Sequence, residues 1–346
     1  MDKTIVTSAP GKVILLGGHA VNRGFAALCA AVALRTTCRV QARSDNGYTL
    51  RFGKRSEVGD RARLRGFKAE VDALRQVQAL NQITAIVRQD FFAPTRYVLA
   101  HVAERVDGSG LDIEWSSEIP VASGLGSGAA ASTSMALAAL RLAGCNPRPA
   151  EVAWLAWQGD VIAHGGIGSA LDSSTCALGG VIRFTIKDGA TTIPLATSLP
   201  LVIGDTGMRA TTAEVNTQVR TFIERHPMRF HLFAEIGMLV EQAQEALAKG
   251  DLATLGHLLN LNQLCLEKLG ISLPKIETLI EAALGAGALG AKISGKGMGG
   301  IIIALCEPGR QAEVAAAIEA AGGRAIIAEA GVEGARIEHW DEGRTE

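Results

Sequence analysis

No run of residues in this chain is apolar for the length that crosses a bilayer, and Met1 to Thr7 show no positively charged segment leading into a long apolar stretch. Neither a transmembrane helix nor a signal peptide is expected, and a cytoplasmic location is. Neither sign of charge dominates. The 34 basic and 35 acidic residues leave a net charge of -1, so neither nucleic acid nor a membrane is an expected partner. The densest basic cluster, Arg61 to Arg65, is diluted by Ala62 and Leu64; it fits a solvated helix face, with a basic rim beside a phosphorylated ligand as the alternative. Cysteines number six (Cys29, Cys38, Cys145, Cys176, Cys265 and Cys306) and stand far apart in mostly apolar surroundings. That spacing suits reduced packing residues and excludes a zinc site or a disulfide frame. There is no internal repeat of solenoid length and no low-complexity linker. Aromatics make up only 4%, which leaves the glycines as the informative residues.

The 346 residues are 48% hydrophobic and 20% charged, enough for a sizeable core and about two domains. Thr4 to Val6 and Val13 to Leu16 read as strands around a turn at Pro10-Gly11; Ala26 to Leu34 is apolar throughout, and Thr36 to Ala42 alternates, so another strand follows. Helical spacing over Arg61 to Arg105 predicts one or two helices. Leu111 to Trp115 alternates like a strand, and Pro120 to Gly128 is a Gly/Ser loop opening a helix through Ala129 to Leu142. Val181 to Ile186 and Leu201 to Gly204 read as strands, and the polar stretch between them sets a domain boundary near residue 187, giving 1–187 and 188–346. Beyond it, Thr212 to Arg225, Met228 to Lys249, Asp251 to Leu269 and Pro274 to Gly285 are helical in pattern. Strands at Ala291 to Ile293 and Ile301 to Leu305 flank a second Gly-rich loop, and Gln311 to Ala321 closes as a helix. The expected class is α+β.

Three segments carry chemistry. Pro120-Val121-Ala122-Ser123-Gly124-Leu125-Gly126-Ser127-Gly128 runs straight into an Ala-rich helix. Glycines let the backbone turn sharply, and the free N–H groups and positive end of the helix favour an anion, so a phosphate loop is the natural reading. No Gly-Lys-Ser/Thr follows, so it is not a Walker A loop, and it lacks the dinucleotide spacing. Gly295-Lys296-Gly297-Met298-Gly299-Gly300 is a loop so poor in side chains that something large is expected to lie against it, at Gly297 and Gly299 in particular; a tight hairpin is the alternative. Ser8 to Lys12 with Gly17 to Val21 sets a lysine near a turn.

Ser8 to Gly24 (SAPGKVILLGGHAVNRG), Pro120 to Ser132 (PVASGLGSGAAAS) and Gly290 to Leu305 (GAKISGKGMGGIIIAL) resemble, in order, the three motifs of the GHMP kinases, and their wording is most similar to the mevalonate kinases. Gly204 to Gly207 followed by Thr211-Thr212, and Asn262-Gln263 through Ser272, are similar to the same family. The resemblance implies an N-terminal domain with a left-handed βαβ unit, a C-terminal α/β domain, and ATP with Mg²⁺ between them. It implies that Pro120, Ser123, Gly124, Leu125, Gly126, Ser127, Gly128 and Ala129 wrap the triphosphate, and that Lys12 lies near the reacting hydroxyl and steadies the transferred phosphoryl. Asp160, four residues before His164-Gly165, matches the family's acidic Mg²⁺ ligand. Asp172 matches the family's base on the acceptor hydroxyl, with one extra residue in the preceding loop, and Lys12 beside it would favour the ionised form. Without the resemblance, Asp172 reads as a cap and Asp160 as a solvated helix residue. His19, His164 and Thr206 fall on the substrate side, and Arg209 is the candidate partner for an acceptor carboxylate. His19 reads equally well as a packed histidine.

Two positions depart from the pattern: Gly18 stands where the family has Glu, and Gly128 where it has a Mg²⁺-coordinating Ser. The expected function is phosphorylation of mevalonate, or a related hydroxy acid, in isoprenoid precursor synthesis. A phosphomevalonate kinase, another GHMP kinase and a catalytically silent ligand sensor remain alternatives, and a homodimer is left open.

Overall fold

The computed structural model describes residues 3–106, 110–120, 123–166, 168–210 and 212–341. Val121 and Ala122 of the first glycine loop and Thr211 of the supporting motif lie outside the described residues. Among these residues twelve strands join in one sheet. Its hub is the antiparallel pair β1 (Thr4–Leu16) and β2 (Ala27–Ala42). To one side β2 pairs with β5 (Leu111–Ser117), which pairs in parallel with β3 (Gly47–Phe52), itself joined to the edge strand β4 (Arg55–Asp60). Between β4 and β5 the chain runs through α1 (Arg61–Gln76), α2 (Leu80–Gln89) and α3 (Ala93–Ala103). These are three helices where the spacing predicted one or two.

A further helix, α4 (Ser127–Leu142), enters two residues before the expected start, and α5 (Pro149–Ala163) and α6 (Leu171–Leu178) pack beside it. A hairpin of β6 (Val181–Thr185) and β7 (Gly189–Ile193) leads to β8 (Leu199–Asp205). Then come α7 (Thr212–Arg225), α8 (His231–Lys249), α9 (Leu252–Lys268), α10 (Pro274–Gly285), β9 (Gly290–Ser294), β10 (Ile301–Leu305), α11 (Gln311–Ala320), β11 (Arg324–Ala330) and β12 (Arg336–Asp341). A single 3-10 turn at Pro227–Phe230 delays α8 beyond the predicted start at Met228, because Pro227 fixes its own φ and lacks an N–H.

The sheet is covered on both faces, so β8 and β10 are buried at every residue and read as unbroken apolar runs rather than alternating ones. Leu201, Ile203, Ile303 and Leu305 join Val240, Leu247, Leu255 and Leu259 of α8 and α9 in one core. Val202, Ile302 and Ala304 point the other way, to Ile276 and Leu279 of α10 and Val314 and Ile318 of α11. A third core sets Val40, Leu50 and Ile113 against α3, α4 and α5.

One expectation needs correction. Pro10-Gly11 does not break the first strand into two; β1 runs through, and the register against β2 slips between these residues. A bulge tolerates a residue without an N–H. Gly11 is required for another reason: a Cβ there would come within 2.9 Å of the Leu125 carbonyl oxygen.

Candidate active site

The bulge lets the first glycine loop lie directly on β1. The backbone N–H of Lys12 donates to the Leu125 carbonyl at 2.8 Å, and a Cβ on Gly126 would strike the Lys12 side chain at 2.9 Å. Gly124 and Gly126 have φ of 91° and 77°, in the left-handed region open to glycine. Gly126 is the N-cap of α4, whose first intrahelical bond runs from the N–H of Ala130 to the Gly126 carbonyl. The N–H groups of Ser127, Gly128 and Ala129 therefore have no acceptor within the helix, and its first turn holds no acidic residue. An anion is the complementary partner. Not every predicted loop residue offers its side chain. The Ser123 hydroxyl is buried and donates to the Pro120 carbonyl at 2.7 Å, and Leu125 belongs to the core.

Behind the loop, Lys12 is buried and its Nζ lies 3.1 Å from Oδ1 of Asp172. Burial acts to lower the Lys12 pKa, but the Asp172 carboxylate, with Cys29 and Cys176 adding to it, offsets this and the net shift is upward. Asp172 stands in the first turn of α6, where helix geometry favours a negative charge. Asp160, near the end of α5, is only 6% exposed, so the reading of a solvated helix residue is set aside. Its pKa is pushed well up by burial and then by Asp172, with Lys12 and Ser173 acting against. Oδ2 of Asp160 is buried without a hydrogen-bond partner.

Packing fixes the spacing of the two carboxylates. Gly159 lets α5 approach closely, since a Cβ there would meet Val98 at 2.9 Å and the Ser132 hydroxyl at 3.0 Å. The loop before α6 is pinned to α5 by Trp157, whose Nε1 donates to the Gly168 carbonyl at 2.7 Å.

These groups share a cleft of about 360 Å³ with Gly18, His19, Gly124, Gly126, Ser127, Gly128, Ala129 and His164. Asn22, Ser169, Asn216, Gly295 and Lys296 also line it; the sequence assigns none of them a role of its own, although Gly295 and Lys296 open the second glycine loop. His164 Nδ1 meets the Asp160 carbonyl at 2.7 Å and so carries a proton, because a carbonyl only accepts. By the same argument His19 donates from Nε2 to the Lys296 carbonyl at 2.7 Å. Burial, with Arg23 and Lys292 adding to it, lowers the His19 pKa to about 4, so the ring is neutral near pH 7. A separate cavity of about 340 Å³ at the far end of α4 is lined mainly by apolar chains such as Leu64, Leu99 and Leu142 and, among the described residues, by no carboxylate.

The second glycine loop is used differently from the expectation. Gly297 backs onto the Ile271 carbonyl and Gly299 onto Met208, each at 2.9 Å from a built Cβ. What lies against these glycines is the protein itself. Thr206 donates its hydroxyl to the Gly300 carbonyl at 2.8 Å, and Arg209 closes both guanidinium arms on Asp205 at 2.7 and 2.8 Å. None of Thr206, Arg209, Gly297 and Gly299 lines the cleft. The Asp205 partner lies only four residues before Arg209, yet the turn that joins them is not legible from composition.

Comparison with known proteins agrees with this geometry. The family model described as GHMP kinases N terminal domain matches residues 94–180, and that described as GHMP kinases C terminal matches 243–324. A mevalonate kinase of Pyrococcus horikoshii is 35% identical over 98% of this chain and 99% of its own length. The crystal structure of L. major mevalonate kinase in complex with R-mevalonate superposes with a TM-score of 0.73 at 27% identity, covering 93% of this chain and 94% of that one. The Methanococcus jannaschii mevalonate kinase shares the fold, with a TM-score of 0.76 at 23% identity over 93% of this chain and 97% of that one.

Proposed function

The chain belongs to the GHMP kinases and, within them, to the mevalonate kinase family, and on that premise we propose that it transfers the γ-phosphate of ATP to the 5-hydroxyl of mevalonate. The observation that carries the reading is the Lys12–Asp172 pair, 3.1 Å apart, in the same cleft as the open N-terminus of α4.

Each group has one task. The N–H groups at the start of α4 bind phosphate oxygens. Asp172 accepts the proton of the attacking hydroxyl, and Lys12 stabilises negative charge on that oxygen and on the phosphoryl group in flight. Burial of Lys12 strengthens these interactions, because little water remains to screen them.

Mg²⁺ is part of this proposal. Asp160 fits it: one buried carboxylate oxygen has no partner, and burial holds the pKa up in a way that a cation would offset. Among the described residues no cluster of three or more His, Cys, Asp or Glu could hold a metal ion, which suits an ion held by a single carboxylate with phosphates and water. When bound, Mg²⁺ would neutralise charge on the phosphate oxygens. We also propose the division into 1–187 and 188–346; Lys187 lies in the turn between β6 and β7. No described helix is long and apolar enough to cross a membrane. All six cysteines are free, which supports a cytoplasmic location.

The test is ADP release with ATP and Mg²⁺ against mevalonate, 5-phosphomevalonate, galactose and homoserine. Turnover on mevalonate, reduced about 10²- to 10⁴-fold in Asp172→Asn, is expected. Turnover on another acceptor alone would move the substrate, and silence on all four with ATP still bound would favour a sensor.

A further inference from the structure

An acceptor that is a hydroxy acid brings a carboxylate into the cleft, and the cations around it can be taken in turn. Lys12 is already paired with Asp172. Arg209, the candidate from sequence, is closed on Asp205 and lies outside the cleft lining. His19 is neutral, with its Nε2 proton given to a carbonyl. Lys292 is fully buried in β9, where its ammonium meets the backbone carbonyls of Ile14 and Ile293. Lys296 is left.

From this geometry we propose that Lys296 binds the carboxylate of the acceptor and so determines specificity for a hydroxy acid; the inference rests on the mevalonate reading above.

The loop gives Lys296 a fixed backbone and a free side chain. Its carbonyl accepts from His19, and two residues on, the N–H of Met298 donates to Ile271 at 2.9 Å. Gly300 then donates to Met208, also at 2.9 Å. By contrast the ammonium has no hydrogen bond or ion pair among the described residues, although the side chain is half-buried and lines the cleft. Leaving a cation partly desolvated and unpaired is costly unless an anion arrives. Its pKa is lowered chiefly by burial, with repulsion from Lys12 and Arg209 adding to it and only Glu214, which attracts it, acting against.

Gly18 makes room. The nearest atoms to a Cβ there are the Gly295 carbonyl oxygen at 3.6 Å and Cγ2 of Ile14 at 3.9 Å, so residue 18 contributes neither a side chain nor the carboxylate that the family pattern puts at that position. Mevalonate carries its carboxylate at the opposite end from the 5-hydroxyl. With Lys12 beside the reacting hydroxyl, Lys296 supplies the second cation for the other end.

The experiment compares KM for mevalonate and for ATP in wild type, Lys296→Met and Lys296→Arg. A lost charge-assisted bond is expected to raise KM for mevalonate about 10- to 100-fold in the Met variant, with most of the loss recovered by Arg and KM for ATP within about twofold of wild type. The neutral triol made by reducing the mevalonate carboxylate to an alcohol should be a poor acceptor whose KM no longer depends on Lys296. An unchanged KM for mevalonate in Lys296→Met overturns the inference, and a rise confined to KM for ATP overturns it in favour of a phosphate contact. A wild-type enzyme silent on mevalonate fails before any variant is compared, and overturns the substrate reading together with this one. Thermal melting of each variant checks the fold.

Discussion

At the scale of single residues, Gly128 shows how a departure from a family pattern acquires physical content. It is the second residue of α4, its φ is not in the left-handed region, and nothing lies within 4 Å of the position a Cβ would take. Neither a turn nor a close approach requires glycine there. Gly128→Ser should stabilise the protein by about 0.5 kcal/mol through helix propensity, and it would bring a hydroxyl to the helix end proposed to bind the phosphates. We expect the Mg²⁺ concentration giving half-maximal activity to fall severalfold, as read by metal titration at saturating ATP and acceptor. An unchanged midpoint would mean that residue 128 does not reach the ion. At this scale Lys12, Asp160 and Asp172 were legible from their motifs, and the fold brings all three to one cleft. Arg209 and Lys296 were not legible. Both are cations in glycine-bearing turns, and only the bidentate bond to Asp205 and the unpaired ammonium of Lys296 separate a structural arginine from a lysine free to bind.

Strand β1 carries Lys12 and is held from two sides at the scale of elements. Along most of its length the partner is β2, but near the cleft Ile14 is met by side chains of β9: the Ser294 hydroxyl accepts from the Ile14 N–H at 2.8 Å and donates back to its carbonyl at 3.2 Å, and the Lys292 ammonium donates to the same carbonyl at 3.4 Å. Ser294→Ala would leave both buried groups without that partner. A loss of about 1–3 kcal/mol is expected from urea unfolding, with a fall in kcat larger than any change in KM for ATP, because Lys12 lies two residues away. Equal stability of the two proteins would show that Ile14 finds another partner. This clamp was invisible in the sequence, where Ser294 is one hydroxyl in a glycine-rich motif. Of the elements that were missed, β3, β4, α5, α6, β7, β11 and β12, three strands share a different cause. Strands β4 and β12 are exposed or half-exposed along their length, and β7 is buried at Ile193 alone; hydrogen bonds to a neighbouring strand define them, so no alternation marks them. The buried run of β10 and the helical pattern of α10, which opens on Pro274, left clear signals and matched to the residue.

Across the whole molecule, the buried histidines set an acid limit. His19 lies at the cleft and His101 on α3, where it packs edge-on against Tyr97 and Trp154 with ring centroids 4.7 and 5.8 Å apart. Burial lowers both pKa values to about 4, helped at His101 by Lys68. Between about pH 4 and the ordinary value of 6.5 the unfolded chain takes up a proton on each ring that the folded chain does not. Stability therefore rises with pH through this window, and is lost as pH falls from 6.5 toward 4. For the nearly enclosed His19 ring the loss is up to about 3 kcal/mol; the His101 ring, less enclosed, contributes less. Histidine, unlike a carboxylate paired on the surface, makes this dependence nearly independent of salt, since burial rather than an ion pair is the cause. The variant His101→Phe keeps the aromatic packing and removes one titrating group. Its melting temperature should fall less than that of wild type between pH 6.5 and pH 4, while the two proteins respond alike above pH 7. Parallel curves across the acid range would mean that His101 can be protonated in the folded state, by a ring rotation that brings its unpartnered Nε2 to water.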